Sequence, residues 1–221
     1  NLVLRPDSNL QRFQTLARRG SANGAELWLQ LGHAGAMAHP PISDPKGPSA
    51  LDIPGLSCAA LTRDEVRGLP SEFARISLLA KDVGFGGVQI HAAHGFLLSQ
   101  FLSPLFNKRD DQYGGSIANR MRLLLEVVDE VRAAVGSGFP VAIKLNATDQ
   151  LEGGFDTDDA LAVIAALDAT GIDLIDISGG TYFPGARSAS DGAGAGPYFV
   201  DFAERARPLT RMIARAFDAY D

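Results

Sequence analysis

The sequence predicts an α/β protein on a parallel sheet, an incomplete TIM (β/α)8 barrel, and three observations carry that reading. Four short apolar runs, AELWLQL (25–31), GGVQI (86–90), PVAIKLN (140–146) and IDLIDIS (172–178), alternate with segments of helical periodicity. No GxGxxG follows any of them, and the GAGAG run (192–196) lies inside a long loop, so the dinucleotide fingerprint of an open doubly wound sheet is missing. A complete eight-stranded barrel takes about 250 residues. This chain of 221 residues shows four clear strands.

Each element has its own signal. Ser8 can cap a helix running to about Arg19, and SANG (21–24) supplies the turn into the first strand. The thirty residues from Gly32 to Leu61 are rich in Gly, Pro, Ser and Ala, with little periodicity; a loop that long in a compact domain is usually functional. Thr62 with Glu65 makes a capping box for a helix continuing through EFARISLLAKDVGF, with Pro70 marking its first real turn or a break. After GGVQI comes a loop holding two histidines, then a helix from about Ile117 to Val135. EGGFDTDD (152–159) ends in helix caps before ALAVIAALDATG (160–171), and a last helical stretch begins near Tyr198.

Composition narrows the function. With 46% hydrophobic and 21% charged residues the chain reads as an ordinary globular protein, one domain over residues 1–221. No stretch approaches the roughly 20 apolar residues that span a bilayer. A net charge of -6 disfavours nucleic acid or an anionic membrane as the main partner. The histidine pair His91 and His94 points instead to an enzyme acting on a small molecule. A lone Cys58 forms no internal disulfide, and the N-terminus has neither the basic start nor the apolar core of a signal peptide, so a cytoplasmic setting is expected.

The chemistry concentrates where GGVQI runs out. His91 and His94 fall at the carboxyl end of a strand, where parallel α/β sheets keep their active sites. Two neighbouring imidazoles there can aim N–H groups at one oxygen atom of a ligand. The competing readings are a structural pair of loop histidines, or a metal site. A metal needs further ligands, and neither HExxH nor a cysteine cluster is present. Lys144 is a charge inside an otherwise apolar strand, which demands an electron-rich partner. His33 and His39 lie in the long loop, where solvated or packing roles are the default.

IHAAHGFLLSQFLSP (90–104), NKRDDQYGGS (107–116) and NRMRLLLEVVDEVR (119–132) together resemble the central block of the Old Yellow Enzyme family, FMN-dependent ene-reductases and NAD(P)H:flavin oxidoreductases on a TIM barrel. The resemblance extends back through LWLQLGHAG and forward through VAIKLN and LIDISGGTY, from about Asn9 to Tyr182. It makes the four strands the third to sixth of the family's barrel and the chain a single, partial FMN-binding domain. The amino-terminal flavin contacts and the later phosphate-binding loops have no counterpart, and exposed sheet edges favour a homo-oligomer.

The resemblance implies roles. Gln30 would pair with the flavin's pyrimidine edge, since an amide supplies both a donor and an acceptor; the alternative is a buried glutamine satisfied by backbone. Lys144 would lie against the flavin N1 and C2 carbonyl, with NAD(P)H as reductant; the alternative is an ion pair, with Asp176 as a candidate partner. His91 and His94 would hold the substrate's carbonyl or nitro oxygen, and preorganised donors of this kind are worth about 3 to 4 kcal/mol each.

Departures bear on mechanism. Most ene-reductases carry a proton-donating tyrosine two residues after the second histidine position; here stands Phe96, which has no proton to give and can serve as pocket wall. Tyr182 is then the candidate donor and Tyr113 a weaker one. Gly32 occupies a place where some relatives carry tryptophan, implying a roomier pocket, and Ala36 one where many carry arginine. Two other readings stay open: a truncated, non-catalytic paralogue that binds FMN poorly or not at all, and a metal-dependent barrel hydrolase.

Overall fold

The computed structural model describes residues 3–40, 43–183 and 199–216. Helix α1 (Leu10–Gly20) starts one residue later than Ser8 predicts. Asn9 is its cap, accepting from the Arg12 amide at 3.3 Å, while the Ser8 hydroxyl accepts from the Arg5 amide at 2.9 Å. Strand β1 (Trp28–Leu31) follows.

The segment 32–61 is not a plain loop. It holds β2 (Lys46–Gly47), β3 (Leu51–Ile53) and β4 (Leu56–Ala60), a separate three-stranded sheet in which β4 lies between the other two. The hairpin from β3 to β4 turns at Pro54-Gly55, where Gly55 takes a φ of 84°. Strands of two to five residues are too short to print a period on the sequence.

Helix α2 (Arg63–Asp82) opens with the expected capping box: Glu65 N–H donates to Thr62 Oγ1 at 3.2 Å, and Thr62 N–H to Glu65 Oε2 at 2.8 Å. It neither begins nor breaks at Pro70. The proline is buried in the second turn, where packing of the apolar face, including that against α5, outweighs one lost backbone bond. Strand β5 (Gly87–Ala92) leads through the histidine loop to α3 (Leu97–Leu102). The single helix expected over 117–135 is two, α4 (Ile117–Arg120) and α5 (Arg122–Val135), divided at Met121. Then come β6 (Val141–Asn146), α6 (Thr157–Leu167), β7 (Leu174–Ser178) and α7 (Val200–Ala206). The Asp156 carboxylate caps α6, accepting from the amides of Asp158 and Asp159.

A fifth parallel strand, β8 (Ile213–Ala216), pairs with β7, so the sheet runs β1-β5-β6-β7-β8. The expectation of four strands is thus one short. IARA is brief and carries an arginine, so no apolar run announces it. Counting β1 as the third barrel strand, the chain supplies the third to seventh.

Alternation along the strands sorts the two faces. Val88, Ile90, Ala92, Ile143, Leu145, Ile175 and Ile177 are at most 1% exposed and join α2, α5 and α6 in one core. Each such aliphatic side chain is worth about 1.5–3 kcal/mol when fully buried. Residues of the other parity share the opposite face; Trp28, Ala142 and Leu174 lie toward its amino end, and Gln30, Gln89, His91, Lys144, Asn146, Asp176 and Ser178 are polar. The period-2 pattern therefore positions the site as well as the core.

Candidate functional site

The polar face is connected across four strands. Gln30 stands directly opposite Gln89, and its Nε2 donates to Gln89 Oε1 at 2.7 Å. Gln89 Nε2 donates to Asp176 Oδ2 at 2.9 Å, and Lys144 Nζ donates to the same oxygen at 2.6 Å. In register, His91, Lys144 and Asp176 form one row across β5, β6 and β7. The ion pair offered as an alternative role for Lys144 is therefore present. Gln30 is exposed and bonded to a side chain, which corrects the buried, backbone-satisfied alternative.

His91 is buried on β5, and its Nδ1 accepts the Ala93 amide at 3.3 Å. A nitrogen that accepts carries no proton, so the ring proton sits on Nε2, the atom left for a ligand. His94 follows in the left-handed region at φ 60°, with Gly95 at 79°. Its Nε2 lies 2.6 Å from Ser178 Oγ, and its amide donates to Asn146 Oδ1 at 3.3 Å. The imidazole centroids are 5.1 Å apart with planes at 87°, edge to face.

Why the chain turns this way is visible in what packs on it. A Cβ on Gly95 would collide with Thr181 Oγ1. His94 O accepts the Tyr182 amide at 3.1 Å, and Asn146 Nδ2 donates to Gly180 O at 2.7 Å. The first residues after β5, β6 and β7 are thus tied to one another.

Both imidazoles are held neutral. Burial, then repulsion from His94 and Lys144, lowers the His91 pKa to about 3. Burial, then Lys144, lowers that of His94 to about 4, with Asp176 opposing. Each folded value lies below the ordinary 6.5, so the unfolded chain takes protons first as pH falls. The stability these groups contribute is complete above 6.5 and is lost progressively as pH drops toward 4 and then 3. The expected result is a lower urea midpoint at pH 5 than at pH 7.5, with a smaller drop in a His91→Gln/His94→Gln variant. Asp149, whose pKa burial raises, is common to both proteins, so the difference isolates the histidines.

Two further rings close around the pair. The Phe96 centroid is 4.7 Å from His91, and Tyr182 is 5.6 Å from His94 and 6.2 Å from Phe96. Tyr182 is 67% exposed, so its hydroxyl-bearing ring is accessible beside the imidazoles. Tyr113 is not part of this group; its hydroxyl donates to Glu126 on α5 at 3.0 Å. A Cβ on Gly32 would sit 3.6 Å from His91 Cδ2, an ordinary contact, so the absence of a side chain there does leave space beside the ring. His33 and His39 are exposed, with His33 Nδ1 accepting the Gly35 amide at 3.0 Å. Among the described residues no group of three His, Cys, Asp or Glu could hold a metal ion, so the hydrolase reading lacks a donor set there.

Sequence reasoning missed Gln89, Asn146, Ser178 and Gln100. The first three were signalled by polar residues of one parity inside apolar strands. Gln100 was signalled only by being polar within LLSQFL. It is fully buried: its Oε1 accepts the Ala36 amide at 3.0 Å, and its Nε2 donates to Ala34 O at 3.1 Å and Gly95 O at 2.7 Å.

A parallel sheet with helices on one face and a histidine-bearing polar face at its carboxyl ends defines part of a TIM barrel with a candidate site where such barrels keep theirs. The chain belongs to the NADH:flavin oxidoreductase / NADH oxidase family, whose model matches residues 1–206. It is 34% identical over 212 residues to an NADPH dehydrogenase of Bacillus subtilis, covering 95% of this chain and 60% of that protein. It is 32% identical over 186 residues to an NADH oxidase of Thermoanaerobacter brockii, covering 82% of this chain and 29% of the relative. Morphinone reductase in complex with tetrahydroNAD superposes with a TM-score of 0.80 at 29% identity, over 98% of this chain and 62% of that one. An old yellow enzyme homologue from Zymomonas mobilis gives 0.81 at 25% identity, over 97% and 62%. The chain thus spans less than two thirds of the length of these relatives. Members of the family bind FMN and use NAD(P)H.

Proposed function

We propose that this protein transfers hydride from NAD(P)H through FMN to an activated alkene, an α,β-unsaturated carbonyl or similar electrophile, with His91 and His94 holding the substrate oxygen. The observation that carries the reading is the pair of neutral imidazoles, 5.1 Å apart between centroids, at the carboxyl end of β5. Neutral imidazole donates one hydrogen bond without adding a full charge to the pocket. As an alkene conjugated to a carbonyl accepts hydride, negative charge gathers on the oxygen, where fixed donors lower the barrier.

The residues on the polar face fit the ring end of FMN. Gln30 keeps Oε1 and one N–H after its bond to Gln89, a donor and an acceptor for a pyrimidine edge. Lys144 supplies positive charge on the neighbouring row. FMN, when bound, supplies the hydride; the chain's own residues orient the ring and polarise the electrophile. The phosphate grip of TIM barrels lies after the seventh and eighth strands, outside the described residues. A cytoplasmic setting belongs to the same proposal, because Cys58 is buried and unpaired.

The test is direct. Purified protein should be yellow, bleach anaerobically with NADH or NADPH, and recolour on adding an enone. A second reading, a non-catalytic paralogue with poor FMN binding, draws on β1 and β8, each of which pairs on one side only among the described residues. Such edges favour association into a homo-oligomer. A colourless oligomer that takes up no FMN would support it over the first.

Phe96 bears on protonation. Its ring lies against His91 and has no proton to give. Phe96→Tyr is expected to speed flavin reoxidation by enones by about 10²-fold, the scale of a positioned general acid. No gain in stopped-flow reoxidation, with the fold intact, would show that the proton already arrives from another group such as Tyr182.

A further inference from the structure

We propose that Gln89 and Asp176 are positioning residues that dictate which way round the Gln30 carboxamide faces its ligand; the inference rests on the flavin reading above. The oxygen and nitrogen of a glutamine amide are nearly the same size, so an isolated glutamine can present either order of donor and acceptor. A pyrimidine edge accepts only one order at a given place. Something must choose.

The choice starts from an ion pair. A carboxylate paired with a lysine offers acceptors only, and Lys144 Nζ lies 2.6 Å from Asp176 Oδ2. The side-chain atom of Gln89 facing it must therefore be the NH2 group, 2.9 Å from Oδ2. That turns Gln89 Oε1 toward β1, where Gln30 Nε2 donates to it at 2.7 Å. The direction of both hydrogen bonds follows from Asp176, three strands away from Gln30 in the sheet. Asp176 Oδ1 is buried with no hydrogen-bond partner among the described residues, so Oδ2 alone carries both recorded bonds. Gln30 is left with one N–H and its oxygen to offer.

The prediction is one of dependence. Gln89 acts through Gln30, so removing it should matter only while Gln30 is present. FMN dissociation constants and flavin midpoint potentials are to be measured for the wild-type protein, Gln30→Leu, Gln89→Leu and the double variant, with thermal midpoints as a folding control. Gln30→Leu and Gln89→Leu are each expected to weaken FMN by about tenfold, the scale of one lost hydrogen bond to a ligand. Both should move the midpoint potential in the same direction, which a loss of mere stability would not do. The double variant should bind within about twofold of Gln30→Leu alone, because coupled sites are not additive. Should Gln89→Leu misfold, Gln89→Met removes the same polar atoms at similar length. Additive losses in the double variant would overturn the proposal. So would unchanged affinity and potential in Gln89→Leu. A wild-type protein that binds no FMN overturns the flavin reading itself, a result distinct from all of these.

Discussion

Replacing both His91 and His94 by alanine is expected to abolish binding of phenols, which place an anionic oxygen in the site, while FMN stays bound. The expectation follows from what each ring does. His91 accepts a backbone N–H on Nδ1 and so keeps its proton on Nε2, and His94 is tethered through Nε2 to Ser178. Neither side chain hydrogen-bonds Gln30, and neither carries the charge of Lys144, so the side chains proposed for the flavin ring stay in place. For the enone reaction each donor is worth about 10²–10³ in rate when removed from a preorganised oxyanion site. The single variants should therefore each fall by roughly that factor, and the double variant by less than the product, because the two donors serve one oxygen. The measurement is a phenol titration, followed by the long-wavelength charge-transfer band, alongside stopped-flow reoxidation. Unchanged phenol affinity in the double variant would remove the histidines from the substrate site and leave them a structural pair.

Much of this site is legible in the sequence, and the reason is geometric. In VQIH, IKLN and IDIS the apolar residue of each pair goes to the helices and the polar one to the opposite face. A polar residue inside such a strand therefore announces itself by parity. The capping box at Thr62 and Glu65 is legible for a similar reason, since both partners lie within one turn. What is not legible depends on distant partners. β2 and β8 exist because neighbouring strands pair with them, and their own residues carry no period. Pro70 reads locally as a stop, yet the helix passes through it because its apolar face is buried. Gln100 has no local signal beyond its polarity within LLSQFL: its partners Ala34 and Ala36 are 66 and 64 residues away in the chain.

Gln100→Leu is expected to be among the most destabilising single changes near the site. The glutamine is completely buried in α3 and satisfies three backbone groups, two in the loop after β1 and one in the histidine loop. Leucine fills a similar volume and answers none of them. A buried backbone group left unpaired costs about 1–3 kcal/mol, so three of them cost about 3–6 kcal/mol after partial relaxation, against a total stability of roughly 5–15 kcal/mol for a domain. The lower end alone would move a urea midpoint by more than about 1 M at the slopes usual for small proteins. Gln100→Glu sets a carboxylate oxygen against the carbonyls of Ala34 and Gly95 in a fully buried site, so it should cost at least as much as leucine. Gly35 reports on the same junction from the other side: its φ is 63°, and a Cβ there would collide with the Gln100 amide, so Gly35→Ala should approach the leucine variant in its effect. The loss should also reach function. Gln100 Nε2 holds the carbonyl of Gly95, the residue that follows His94, and the Leu97 amide holds that of His33 at 2.8 Å. Phenol affinity should therefore fall in Gln100→Leu even under conditions where the protein remains folded, while Gln30 and Lys144, on strands that Gln100 does not touch, continue to hold the flavin. Equal losses of phenol and FMN affinity would mean that the junction supports the whole sheet rather than the histidine loop.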